Sequence, residues 1–448
     1  MKLHITQIDL FERNVPFIHP FRFGAVTVEA APQAYIRVQA EVEGHGTAIG
    51  GSAELMVPKW FDKDPAKTPA QTIDDLRQSL HLAAAAYQDA QGTAFQIHAE
   101  RHAAHTAACA AIGLPRLVAN FGMAELDKAI LDALFRAGGV GAWAGLAANL
   151  PGLDATLTPD LATPEIEAFL HHQHPAPQVP IRHAVGYLDD VSLLPATLAA
   201  TGCQWVKLKL SGNPEADHAR LRAIAAILPA SVQGASLDAN EQYDPTLLPA
   251  LRTILEDPAL HPITTRLLYV EQPVARGTLN LGPFAQHYPC VMDEGDDGYG
   301  AFPAALEQGW RGVSIKSCKG IYKALLNALR AQKAGAMLTA EDLTAQPGLA
   351  LQQDAALVAF LALPHMERNG HAYTAGFVDA DEAATFGAAH PELYCSGSLR
   401  LRTGAIPTTR IGEAIGYGTA THPDWQSLPK MNRGPRPQRV EGRALAFP

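Results

Sequence analysis

The 448-residue chain is poor in the features that mark several protein classes. It has five cysteines, Cys109, Cys203, Cys290, Cys318 and Cys395, widely scattered and without a C-x-x-C pair. That usage argues against a disulfide framework or a cysteine zinc site and favours reduced thiols in a cytoplasm. Positive charge is not in excess: 45 acidic against 35 basic side chains leave a formal net charge of −10. Nucleic acids and anionic membranes need a positive field, so neither is an expected partner. The most basic stretch, 433–443, contains prolines and reads as an exposed tail. Long apolar runs are missing too. AALVAFLALP (355–364) falls well short of the ~20 residues of a membrane helix, and MKLHITQIDLFERNVPF at the N-terminus has no apolar signal core. With 47% apolar residues the chain is equipped for a packed core rather than disorder.

What is present divides into two grammars. Stretches 3–11 and 33–42 alternate apolar and polar residues, as half-buried antiparallel strands do. A glycine-rich turn region follows at 44–51, and helical apolar spacing appears at 73–88 and 122–137, the latter ended by Gly138-Gly139. Residues 1–140 therefore read as an α+β domain. Residues 141–178, rich in Ala, Pro and Gly with one helix at 164–171, read as a linker or insertion. From 179 onward short β-type runs alternate with helical stretches: HAVGYL (183–188), WVKLKL (205–210), GASLDAN (234–240), LLYVEQP (267–273), PCVMDEG (289–295), GVSIKSC (312–318) and AMLTAEDL (336–343). Repeated strand-helix units imply a parallel α/β sheet, and this many of them favour a closed barrel. No G-x-G-x-x-G follows the first strand, so the usual dinucleotide signature is absent.

Five successive runs carry ionisable residues near their C-terminal ends: Lys207 and Lys209, Asp238, Glu271, Asp293 with Glu294, and Lys316. In a barrel these ends gather on one face, where active sites lie. Lys207 and Lys209 are two apart, so both side chains enter the interior. Their mutual repulsion is expected to lower the lysine pKa toward that of a general base. Asp238, Glu271 and Asp293 form an oxygen-only set suited to Mg²⁺, with Mn²⁺ as a substitute. Asn240, two residues after Asp238, is placed to orient a ligand or substrate. Removal of a proton from the carbon next to a carboxylate creates an enediolate, which a divalent cation stabilises and for which a lysine serves as base. Lys209 and Lys316 on opposite sides of the barrel would reach either face of that carbon.

These pieces, VKLKL, SLDAN, YVEQP, VMDEG and VSIKSCKG in order, resemble the enolase superfamily in its mandelate racemase/muconate lactonizing enzyme branch. PFRFG (20–24) and GGSAEL (50–55) resemble its two capping loops, and MAELDKAILDALFRAGG (123–139) resembles the helix leading into its barrel. The resemblance implies an N-terminal capping domain at 1–140, a linker at 141–178 and a (β/α)7β TIM-like barrel at 179–395. Residues 396–448 would return to the cap. It implies Asp238, Glu271 and Asp293 as Mg²⁺ ligands, with Glu294 the alternative to Asp293. It implies Lys209 and Lys316 as acid/base residues on opposite faces, with Lys207 beside Lys209, and a cap closing with the Arg22 and Leu55 neighbourhoods. HMERNGHAY (365–373) falls where members read substrate; it lacks a D-x-D pair, and Glu367, Arg368 and His371 are the specificity candidates. Glu341 and Asp342 end the preceding strand with an open role. A small carboxylate substrate and a homo-oligomer are implied. Racemisation or epimerisation is the first expectation, because lysines on both faces allow two-sided proton transfer. Cycloisomerisation and dehydration use the same residues. A non-catalytic binding protein and a Schiff-base aldolase on a barrel are the remaining readings. The first would need a broken site, the second an isolated lysine without the acids.

Overall fold

A computed structural model of the chain describes residues 1–24, 26–395, 398–399 and 404–433. The N-terminal domain is a sheet of four antiparallel strands in the order β3-β2-β1-β4, with β1 Lys2–Phe23, β2 Val26–Val42, β3 Gly46–Leu55 and β4 Gln91–Thr93. Helices α1 (Pro69–Tyr87), α2 (Ala94–Ala111) and α3 (Arg116–Ala137) cover it. The first hairpin runs well beyond the alternating stretch that predicts it. Its register shifts between Pro16 and Phe21, where Pro16 and Pro20 cannot donate ladder hydrogen bonds. The glycine-rich segment is mostly strand: only its start turns, and β3 carries Gly50 and Gly51 into the sheet. A Cβ at Gly50 would meet the Ala129 carbonyl oxygen at 2.1 Å, so glycine there lets α3 lie directly on the strand. Thr68 caps α1 in a reciprocal pair with Gln71. Helix α3 is buried on every face because it is packed between the sheet, α1, α2 and the barrel.

Residues 141–178 hold two short helices, Ala142–Ala147 and Thr163–His171. They are strapped to the barrel. Trp143 donates its indole N–H to the Ala356 carbonyl at 3.0 Å, and Arg330 pairs with Asp160.

The second unit is a closed barrel of eight parallel strands: β5 Gln178–Val185, β6 Trp205–Lys209, β7 Gly234–Asp238, β8 Leu267–Glu271, β9 Cys290–Met292, β10 Gly312–Ile315, β11 Met337–Glu341 and β12 Met366–Glu367. Neighbours follow chain order, and β12 pairs back to β5 to close the ring. Five strands stop on an ionisable residue: Lys209, Asp238, Glu271, Glu341 and Glu367. Asp293 and Lys316 lie one residue beyond β9 and β10. The charged set therefore gathers at one end of the barrel.

After the barrel, Ala405–Pro407 adds an antiparallel strand to the start of β5. The chain then reaches the cap, where Asp132 on α3 accepts hydrogen bonds from Tyr417 N–H and the Thr419 hydroxyl, and Met431 N–H bonds Leu10 O. Residues 434–448, and with them nearly all of the basic stretch 433–443, lie outside the described residues. Cys109, Cys203, Cys290 and Cys318 are buried and unpaired. Among the described residues no helix is long and apolar enough to cross a membrane.

Candidate active site

Lys207 and Lys209 do enter the barrel together, but the acids around them decide their charge. Lys207 is fully buried. Its Nζ lies 2.9 Å from Asp238 Oδ2, 3.0 Å from Glu271 Oε2, 2.6 Å from Glu341 Oε1 and 2.5 Å from Glu367 Oε2. Burial disfavours the ammonium, and the four carboxylates outweigh it, holding Lys207 well above the ordinary lysine range. Lys209 is raised in the same way: burial pulls down, while Asp238 (2.5 Å) and Glu367 (3.7 Å) pull up more strongly than Lys207 repels. The expectation of a lysine pair lowering its own pKa is thus overturned. Lys207 acts as the counterion beneath the site and does not line the cavity above it.

That cavity lies between the barrel mouth and the cap. Its floor is polar: Lys209, Asn240, Lys316, Glu341, Asp342, Thr344 and Asn369. Its roof is Phe21, Phe23, Val57 and Trp60, with Leu343 beside them. Lys316 Nζ donates to Asp293 Oδ2 at 2.7 Å and Glu341 Oε2 at 2.5 Å. Burial lowers its pKa, but Asp293 and Glu341 raise it further, to a value well above ordinary lysine.

One oxygen each from Glu271, Asp293 and Glu341 lies within 4.8 Å of the others. Neither oxygen of buried Glu271 accepts a hydrogen bond, although Oε2 is in ion-pair range of Lys207. Burial and the neighbouring Glu341 charge push Glu271 well above the usual carboxylate range. Glu341 is held well below it, because Lys207 and Lys316 overcome its burial. Three buried carboxyl groups this close, one of them with both oxygens free of hydrogen bonds, form the oxygen donor set a hard divalent cation takes, so the residues fit Mg²⁺. Asp238, grouped by sequence with Glu271 and Asp293, is drawn instead to Lys209 and Lys207, while its Oδ1 accepts Asn240 N–H at 2.9 Å. Glu341, left open by sequence, takes its place in the cluster.

The other sequence candidates divide. Asn240 lines the cavity and donates to Glu294 Oε1 at 3.2 Å; its buried Oδ1 has no partner. Glu294 turns toward Lys63 of the cap, 2.8 Å away, and Lys63 also reaches Glu241 and the Asn240 carbonyl. It joins cap to barrel and does not line this cavity, while Asp293 meets Lys316. Glu367 is buried below the cavity between Lys207 and Lys209. Arg368 is fully buried, bonded to Asp342 and the Ala345 carbonyl, and holds the loops after β11 and β12 together. His371 bonds His183 at 2.8 Å and faces a separate outer groove lined by His19, Asp189 and Leu194. So Glu367, Arg368 and His371 are not brought to the cavity. Of the two cap neighbourhoods, Arg22 and Leu55 themselves do not line it. Phe21 and Phe23 alternate with Arg22 and take the inner side, and GGSAEL belongs to strand β3, the roof coming from Val57 and Trp60 after it. The alternate aromatics of PFRFG carried a readable signal; nothing in the local pattern singled out Trp60, Lys63 or Asn369.

The chain matches no protein-family sequence model and no curated protein. Solved structures do match over nearly its whole length. A mandelate racemase/muconate lactonizing protein from Herpetosiphon aurantiacus is 18% identical, with 93% of this chain and 97% of that one covered and a TM-score of 0.64. A dipeptide epimerase from Enterococcus faecalis, complexed with Mg and the dipeptide L-Leu-L-Tyr, is 17% identical over 93% and 99%, TM-score 0.63. An enolase from Bradyrhizobium, complexed with magnesium and mandelic acid, is 17% identical over 94% and 96%, TM-score 0.61. The chain therefore has the fold of enolase-superfamily proteins: a capping domain seated on a modified TIM barrel.

Proposed function

We propose that this chain is a Mg²⁺-dependent enzyme of the enolase superfamily, in its mandelate racemase/muconate lactonizing branch. It moves the proton on the carbon next to a substrate carboxylate, as a racemase or epimerase. One observation carries this: Lys209 and Lys316 line a single cavity whose floor is set on buried acids. Mg²⁺-bound relatives of the same fold, two of them with a carboxylate or dipeptide ligand, support it.

Glu271, Asp293 and either Glu341 or Asp238 would hold the cation. When bound, it would supply positive charge to the carboxylate oxygens as the neighbouring carbon loses its proton, and would offset the acids that keep both lysines protonated. Lys209, as free amine, takes the α-proton from one side; Lys316, as ammonium, returns a proton from the other and inverts the carbon. Lys207 stays charged and balances the acids beneath. Phe21, Phe23, Val57 and Trp60 exclude water and face the substrate's apolar part.

The test is α-proton exchange. The protein is incubated with Mg²⁺ and a carboxylate library in D₂O, and α-deuterium is followed by NMR. Exchange with inversion is expected. Lys209→Ala and Lys316→Ala should each block exchange of the enantiomer that presents its proton to the missing lysine. Absence of exchange with every substrate, together with absence of divalent-cation binding, would overturn the proposal.

A further inference from the structure

The cap reaches one of the two cavity lysines from behind. Lys128, on α3, is fully buried. Its Nζ lies 2.8 Å from Glu125 Oε1, 3.3 Å from Glu54 Oε2 at the end of β3, and 3.2 Å from the hydroxyl of Ser317. Ser317 follows Lys316 directly and donates in turn to Asp354 on the helix Leu349–Phe360. The cap lysine thus sits among two cap acids and the hydroxyl of Ser317, which is itself bonded to the barrel acid Asp354.

An apolar side chain would fill this position on α3 without the cost of burying a charge. A lysine there forms directional bonds instead, and one of them crosses from cap to barrel at the residue beside Lys316. The same peptide is tightened by a turn in which Lys319 N–H bonds the Lys316 carbonyl and Gly320 N–H bonds that of Ser317. Lys209 is placed differently. It ends β6, which is held by β5 and β7, and among the described residues no cap side chain bonds to that strand.

We infer that Lys128 is a positioning residue: through Ser317 it fixes the backbone that presents Lys316 to the cavity and leaves Lys209 untouched. Burial, opposed by Lys128, pushes Glu54 and Glu125 up to about 7, and burial with the Glu54 charge pushes Asp354 up to about 8. The acids can therefore take up protons when the lysine is removed, which favours folding of a Lys128→Met variant.

Two measurements on the full chain test this. The first is amide hydrogen exchange, which needs no substrate. In Lys128→Met and in Ser317→Ala, the amides of 317–320 should exchange at least tenfold faster, while those of 206–209 keep wild-type rates. Equal changes in both segments, or wild-type protection of 317–320 in either variant, would overturn the inference. The second rests on the proposed proton transfer. With each enantiomer supplied separately in D₂O, both variants should slow exchange on the Lys316 face at least tenfold and on the Lys209 face less than threefold, the faces being assigned with Lys209→Ala and Lys316→Ala. Equal slowing on both faces would overturn it. A wild-type protein that exchanges no substrate and binds no divalent cation sinks the functional proposal alone, and amide exchange still decides the role of Lys128.

Discussion

The ring of Trp60 lies over the ammonium of Lys316, with Nζ 4.6 Å from the ring centroid. A cap residue and a barrel residue far apart in the chain therefore share one contact inside the cavity. The aromatic face stabilises the charged form of Lys316 and closes the space around it from water.

Removal of that ring should be felt in the reaction. A desolvated cation–π contact contributes about 2 kcal/mol, and about 1.4 kcal/mol is tenfold in rate. Trp60→Ala should lower α-proton exchange on the Lys316 face by roughly tenfold or more, with Trp60→Phe retaining most of the activity. Exchange rates measured by NMR decide this; an unchanged rate in Trp60→Ala would show that the ring has no part in catalysis.

Glu271 has two buried oxygens without a hydrogen bond. Mg²⁺ or Mn²⁺ should raise the thermal midpoint of the wild-type protein, since a ligand at a hundred times its Kd contributes about 2.7 kcal/mol, and a chelator should reverse the rise. Glu271→Gln should lose the metal-dependent rise yet keep the metal-free midpoint close to that of wild type, because burial and Glu341 already push this carboxyl toward its neutral form and glutamine keeps its size. Scanning calorimetry with and without metal reads both. A metal-free midpoint that drops sharply in Glu271→Gln would mean that this carboxylate stabilises the fold rather than awaiting a cation.

Asp132 accepts hydrogen bonds from Gly51 N–H (2.9 Å), Tyr417 N–H (2.7 Å), Thr419 Oγ1 (2.7 Å) and Arg136 Nε (2.9 Å), and it meets His422 Nε2 at 2.6 Å. Burial pushes its pKa up, but Arg136 and His422 overcome this and hold the carboxylate far below its usual range. A depressed acid pKa contributes stability above the unfolded value of about 3.9. That contribution is lost as pH falls from there toward the folded value. Asp132→Asn should therefore destabilise the cap by about 3 kcal/mol at neutral pH and flatten the loss of stability below about pH 4. Denaturant midpoints measured from pH 6 to pH 3 test this; an equal slope in both proteins would refute the role of Asp132.

Much of the site was legible because a parallel barrel maps order in the chain onto position around a ring. An ionisable residue at the end of each strand must face its counterparts on the same rim, and so Lys209, Asp238, Glu271, Asp293 and Lys316 could be placed before any coordinates. Glu341 ended the next strand by the same logic, but its chemistry stayed open because one acid in AMLTAEDL does not show which neighbours it meets. HMERNGHAY was harder. Glu367, Arg368 and His371 are close in sequence, yet each points to a different place: below the cavity, into the loop after β11, and toward the outer groove. A two-residue strand followed two residues later by a short helix has no period from which side-chain direction can be read.

By itself, then, the sequence determined the class of fold, the rim of charged residues and the kind of ion they suit, since each follows from local period and residue chemistry. The tertiary structure alone decided which acids share a cation-sized space and which are spent on lysines, because charge on a buried group is set by neighbours a few ångströms away rather than by neighbours in the chain. It also decided that the roof is Phe21, Phe23, Val57 and Trp60, and that Lys128 reaches Ser317. These contacts join residues far apart in the chain, and only the docking of cap on barrel brings them together.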